Sequence, residues 1–287
     1  MPLAYDTSTP SGKLHLALGA CLSFNILFNY AQCVRTDPGA PPDLFDAAEV
    51  GAEGGGPLVL VNETPSRQRW CRKCQNVKPV LAHHCSVCGR CVLKMDHHCP
   101  WMNNCVGLRN YRYFFLFLFY LWLGCAYAVA MCYGPVAGEP DIELLRMLLA
   151  RYLGYSYERR HSSTVHGVPL SEAQRSAVLF SLILAFSVFL ALSLLLFWHV
   201  FLVFTAQTTI DFYTNREHAR AARRAGRVWA NDCDLGPSRN WQEAFDERGW
   251  FWWLLWAAPR LRPHMGSGLT PPFASAEAVR RDKKDEA

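Results

Sequence analysis

The stretch from Cys71 to Cys105 reads CRKCQNVKPVLAHHCSVCGRCVLKMDHHCPWMNNC and holds seven of the chain's twelve cysteines. It repeats itself. Cys71, Cys74, His84 and Cys91 follow the pattern C-x2-C-x9-H-x6-C. Cys85, Cys88, His98 and Cys105, each fourteen positions further on, follow it again. Three thiolates and one imidazole are a donor set for tetrahedral structural zinc. The two sets interleave, because Cys85 and Cys88 fall inside the first. This spacing predicts two structural Zn2+ ions and a small cysteine-rich domain stapled by them.

The eight ligands use six cysteines, and Cys99 is left over. The triplet HHC occurs at His83–Cys85 and again at His97–Cys99, so Cys99 is the analogue of Cys85. Three places after Cys85 stands Cys88, whereas three places after Cys99 stands Met102. No third metal set begins there. Most leftover cysteines are structural, but three local features argue for a nucleophile here. His97 is not needed for metal and can act as a general base or pair with a thiolate as imidazolium. Asp96 can accept a hydrogen bond from that imidazole and fix its tautomer, giving the nucleophile–base–orienter order of a triad. Lys94, Arg109 and Arg112 add positive charge that favours thiolate.

Three apolar blocks flank this segment, one before it and two after. They run from Leu14 to Val34, from Tyr113 to Tyr133 and from about Ser176 to Ala206. Each reaches the roughly 20 residues that a helix needs to cross a bilayer. The first is longer than the apolar core of a signal peptide and is followed by VRTDPGAPPD rather than a small-residue cleavage site, so it reads as a retained span. The fold class is therefore an all-α integral membrane protein, a helical transmembrane bundle with a zinc-stapled cysteine-rich domain.

Orientation follows from charge. Arg67–Arg112 carries nine Lys or Arg and one acid, and Arg216, Arg220, Arg223, Arg224 and Arg227 follow the third block. The loop Gly134–Arg175 is balanced, with five Arg and five acids. The positive-inside rule places the cysteine-rich domain and the C-terminal tail in the cytosol and that loop on the lumenal or extracellular side. Beside a span, the arginine cluster suits anionic headgroups of the lipid bilayer, and no nucleic acid is expected as a partner. In a reducing compartment, dense cysteines read as metal ligands rather than disulfides.

The block Cys71–Phe114, with HHCSVCGRCV, DHHCPWMNNCVG and NYRYF, resembles the DHHC protein S-acyltransferases (palmitoyltransferases), whose signature is Asp96, His97, His98 and Cys99. DPG at Asp37–Gly39 is similar to the family's motif before the cysteine-rich domain. NDCDLGPSRNW, Asn231 to Trp241, resembles its C-terminal motif, with Asn240 at the characteristic asparagine. The resemblance implies that Cys99 takes a long-chain acyl group from acyl-CoA, such as palmitoyl-CoA, and passes it to cysteines of membrane-associated protein substrates. It implies His97 as base, Asp96 as its orienter, and His84 and His98 as zinc ligands, in agreement with the repeat. It further implies a multi-pass endomembrane protein of the ER or Golgi, with the plasma membrane as the alternative.

The family's TTxE motif reads TTID here, Thr208 to Asp211. Thr209 matches the threonine that supports the catalytic motif, while the shorter Asp211 either reaches its contact differently or loses it. The family usually has two spans before the cysteine-rich domain and this chain shows one. Either a first span is absent from this version of the chain or the form has three spans. The other reading of the whole is a non-catalytic zinc-stapled membrane adaptor, indifferent to Cys99. A zinc-domain ubiquitin ligase also interleaves two sites but gives no reason for a free thiol.

The expected organisation is an N-terminal segment (1–13), a span (14–34), a linker with DPG (35–66), the cysteine-rich domain (67–112), a span (113–133), a lumenal loop (134–175), a span (176–206), a cytosolic tail with the two motifs (207–262) and a disordered tail (263–287). Ile142–Leu153 has helical periodicity, and the tryptophans of Trp250–Ala257 suit either a headgroup boundary or docking on the bundle.

Overall fold

The computed structural model describes residues 8–41, 58–61, 64–67, 69–79, 81–136, 140–156, 164–165, 168–247 and 251–261. The expected glycine-rich linker at 51–57 and the expected disordered tail at 263–287 lie outside them. Among the described residues, three helices are long and apolar enough to cross a membrane: α1 (Pro10–Arg35), α2 (Tyr111–Val136) and α4 (Glu172–Phe204). The shorter helices are α3 (Pro140–Leu153), α5 (Thr209–Arg224), α6 (Pro237–Phe245) and α7 (Trp252–Leu255). All three long helices begin before the expected span does, and α1 and α2 also outrun it at the C-terminal end. Hydropathy marks the length that lipid selects, whereas backbone hydrogen bonding carries the helix past it into polar surroundings. α4 instead closes at Phe204, short of the expected Ala206, where Ala206 turns left-handed at φ 49°.

The chain packs as two compact units. One comprises Met1–Leu27 with Phe117–Leu196, the other Phe28–Leu116 with Phe197–Ala287. The first is built from apolar helix faces. Trp122 stacks on Phe189 at 5.4 Å and its Nε1–H donates to Ser193 Oγ at 2.8 Å. Cys132, Val136 and Leu182 form a small core. Leu14, Phe180 and Leu194 stand outward and exposed. In water each would forgo about 1.5–3 kcal/mol of burial, and in a bilayer they forgo nothing.

The second unit holds the cysteine-rich segment as three short antiparallel hairpins: β3–β4 (Arg69–Cys71, Asn76–Lys78), β5–β6 (His83–Cys85, Arg90–Val92) and β7–β8 (His97–Cys99, Asn104–Val106). Part of the segment expected to be linker forms a hairpin. Leu58–Val61 (β1) pairs with Thr64–Arg67 (β2), an apolar run whose signal the neighbouring glycines hid. The DPG motif is fastened to the hairpins. Asp37 pairs with Arg90 at 2.7 Å, Gly39 C=O accepts from Leu93 N–H, and Pro38 C=O accepts from Arg109 N–H. Gly107 admits no side chain, since a Cβ would meet Val92 Cγ1 at 2.7 Å and the Leu93 carbonyl at 2.8 Å.

Candidate active site and metal centres

The fourteen-residue repeat is a repeat of hairpins, and it has three members rather than two. Each hairpin turns on a residue in the left-handed region: Gln75 (φ 49°), Gly89 (φ 66°) and Asn103 (φ 46°). Glycine and asparagine tolerate that conformation best. Across the strands, Trp70 faces Val77, His84 faces Cys91 and His98 faces Cys105. Each cluster therefore takes the CxxC turn of one hairpin and the facing His and Cys of the next. Three hairpins make two complete clusters and leave half a cluster at each end. At one end Trp70 and Val77 replace His and Cys. At the other, Cys99 and Met102 replace CxxC.

Cys71, Cys74, His84 and Cys91 form the first cluster, and Cys85, Cys88, His98 and Cys105 the second, with all ligand atoms of each within 4.8 Å of one another. Around His84 Nδ1 the sulfurs lie at 3.5, 3.1 and 4.0 Å. Around His98 Nδ1 they lie at 3.7, 3.3 and 3.6 Å. A tetrahedral ion with bonds of about 2.0–2.3 Å sets edges of roughly 3.5 Å, so these are the edges of a ligand tetrahedron more than hydrogen bonds. Either cluster can hold one metal ion.

Cys99 keeps the turn geometry without a metal. In the complete turn, Cys88 N–H points at Cys85 Sγ at 3.3 Å. At Cys99 the N–H groups of Met102 and Trp101 and the His97 side chain act on the sulfur in the same sense, favouring its anion. Burial opposes a thiolate here, but the His97 bond and charge and those N–H donors hold the Cys99 thiol below its ordinary range. Burial likewise opposes the His97 imidazolium. Its bonds to Asp96 and Cys99 and their charges outweigh that, pushing His97 up to about 9. Both shifts favour the charged form of their group.

Asp96 is 1% exposed and fully engaged. It accepts from His97 Nδ1 at 2.6 Å, from Thr209 N–H at 2.7 Å and from Thr209 Oγ1 at 3.1 Å. Burial pushes its carboxyl up, yet these donors hold it below the usual carboxylate value. Thr209 opens α5, so the carboxylate also meets the positive end of that helix. Thr208 caps α5 with Asp211: Asp211 N–H donates to Thr208 Oγ1 at 3.1 Å, and Thr208 N–H donates back to the Asp211 carboxylate at 3.1 Å. Asp211 thus makes its contact within the cap, a reciprocal box its shorter side chain can close.

Asn240, buried in α6, fastens the tail to the end of α4. Its Nδ2 donates to Phe204 C=O at 2.8 Å and to Asp234 Oδ1 at 2.7 Å, and its Oδ1 accepts from Leu235 N–H. Asn231 Nδ2 donates to Thr205 C=O. Carbonyls that a helix end leaves unpaired are satisfied in this way. Trp256, beside α7, docks against Phe115, Trp241 and Phe245 with centroids 5.0–6.2 Å apart.

Residues 64–216 match the DHHC palmitoyltransferase family model. The chain is 32% identical over 263 residues to probable protein S-acyltransferase 16 of Arabidopsis thaliana, covering 92% of this chain and 81% of that protein. It is 31% identical over 294 residues to palmitoyltransferase ZDHHC16A of Danio rerio, covering 94% and 72%. Probable protein S-acyltransferase 15 of Arabidopsis thaliana is 34% identical over 230 residues, covering 80% and 78%. The chain belongs to the DHHC palmitoyltransferase family.

It is accordingly a protein S-acyltransferase of several membrane spans, and the adaptor reading lapses. The signature residues Asp96–Cys99 lie at the C-terminal of the two incomplete ends of the hairpin array. Sequence reading passed over two residues beside them. His199 on α4 is 2% exposed, and its Nδ1 lies 3.1 Å from Tyr111 Oη at the start of α2. A lone histidine in the apolar run LLLFWHVFLVF was the available signal.

Proposed function

We propose that Cys99 is the acyl carrier, His97 its proton-transfer partner and Asp96 the group that orients His97. The donor is a long-chain acyl-CoA and the acceptors are cysteines of membrane-associated proteins. The observation that carries this reading is the Asp96–His97 hydrogen bond at 2.6 Å, with His97 acting in turn on Cys99, the one thiol of the hairpin array that the two clusters do not use. In the first half, the Cys99 thiolate attacks the acyl carbon, the bond to the CoA sulfur breaks, and the imidazolium gives its proton to the leaving thiolate. In the second, neutral His97 takes the proton of an acceptor thiol. That thiolate attacks the Cys99 thioester, and Cys99 leaves as thiolate beside the restored imidazolium. The basic cytosolic side favours the CoA phosphates, and the apolar helices suit the acyl chain.

Purified full-length protein given palmitoyl-CoA should form a hydroxylamine-labile adduct at Cys99, located by mass spectrometry, and transfer it to a membrane-anchored cysteine peptide. An adduct at another cysteine alone would sink the assignment.

The clusters are proposed as two structural zinc sites, on their Cys3His chemistry and tetrahedral edges. Elemental analysis should find close to two zinc per chain. Cys71→Ala or His98→Ala should lower both zinc content and folding yield, because binding of structural zinc is itself folding free energy. A single zinc in well-folded wild-type protein would contradict the pairing.

A further inference from the structure

We propose that His199, held by Tyr111, is a positioning residue that fixes the ring of His97. The inference rests on His97 being the proton-transfer partner of Cys99.

Asp96 grips His97 at one ring nitrogen only. A hydrogen bond at Nδ1 leaves the ring plane free to tilt, and the opposite edge must meet Cys99. Two rings limit that tilt. Phe114 stands edge-on to His97 with centroids 5.0 Å apart and planes at 70°. His199 lies 6.2 Å from His97 at 47°, and Phe114 and His199 meet each other at 5.1 Å and 70°. The three rings form a closed group in which edge-to-face contact depends on orientation.

His199 is an expensive choice for a wall. It is 2% exposed within a helix whose neighbours are apolar, where an imidazole costs free energy unless hydrogen-bonded and a phenyl ring would not. Tyr111 Oη offsets that cost at 3.1 Å and pins the ring about its own axis. Tyr111 and Phe114 are three residues apart on α2, so they share a face of that helix. The cytosolic starts and ends of two spans thereby set the angle of the imidazole, and the reach of His97 to Cys99 depends on how those helices pack.

The test uses the full chain in lipid nanodiscs, reading single-turnover acylation by palmitoyl-CoA per zinc-loaded molecule. His199→Ala should lower the maximal rate about 10–100-fold, the scale of a ~1 Å misplacement of a reacting group. Zinc content and the acyl-CoA KM should stay within about twofold of wild type, as expected of a residue that touches neither ligand set nor substrate. His199→Phe, which keeps the ring and loses the Tyr111 bond, should recover part of the rate. Tyr111→Phe should lower the rate in the wild-type background and have no further effect in His199→Ala, because the two act as one unit. A wild-type rate per folded His199→Ala molecule, or a loss confined to KM, would overturn the proposal. Should His199→Ala not fold, Tyr111→Phe removes one oxygen and decides the question by itself. His97→Ala is run beside them: an undiminished rate there defeats the assignment of His97, whereas an undiminished rate in the His199 and Tyr111 variants alone defeats only the positioning role.

Discussion

Replacing Cys99 by serine should abolish acyl-enzyme formation while leaving the folded, zinc-loaded protein intact. The hydroxyl is nearly the size of the thiol, and it can accept the same N–H groups of Trp101 and Met102 that converge on the sulfur. Neither metal cluster includes Cys99, so zinc content should not change. What is lost is the anion. The attacking species in thiol chemistry is the thiolate, and a serine hydroxyl leaves almost none near neutral pH even beside an imidazolium. The rate should fall on the order of 10⁴-fold or more, the scale seen when a nucleophile is removed from an acyl-transfer site. The measurement is hydroxylamine-labile label from palmitoyl-CoA, with zinc determined on the same sample. Persistent label and continued transfer to a peptide acceptor in Cys99→Ser would place the nucleophile elsewhere.

Changing His97 to alanine should cost about 10²–10⁴-fold in acyl-enzyme formation, the usual contribution of a positioned acid–base group, with both metal sites retained. The fold should tolerate it because Asp96 keeps two donors from Thr209 after the imidazole is gone. The adjacent change, His98→Ala, should behave in the opposite way and fail in zinc content first, since His98 Nδ1 sits within 3.3–3.7 Å of three sulfurs. The pair of variants separates neighbours that are chemically identical and differ only in which way the strand β7 turns their side chains. Zinc loss in His97→Ala, with His98→Ala fully loaded, would mean the register is displaced by one residue.

That register was legible in the sequence. Ligand sets spaced C-x2-C-x9-H-x6-C are local in the chain, and a repeated offset leaves little freedom in pairing them. Hydropathy was equally local, and three helices formed where three apolar blocks stood. The hairpin β1–β2 was missed because Leu58–Val61 is four residues long and adjoins a glycine-rich stretch, too short a window for alternation to register. The hairpin turns of the repeat, the third among them, were missed for a different reason. A ligand pattern records where a metal binds, so it is silent about Cys99–Met102, whose backbone repeats the turn while its side chains do not.

Sequence alone determined that two Cys3His clusters would form, that Cys99 would be left out of both, and that three helices would be long and apolar enough to span. These follow from spacing and from apolar length, which each segment carries by itself. Tertiary structure decided what surrounds the thiol. Thr209 donates to Asp96 across 113 positions and Tyr111 meets His199 across 88. No local rule sets such distances, because they depend on where helices end and how they pack. The capping of α5 puts its first N–H at the carboxylate, and the close of α4, tied by Asn240, fixes where α5 can start.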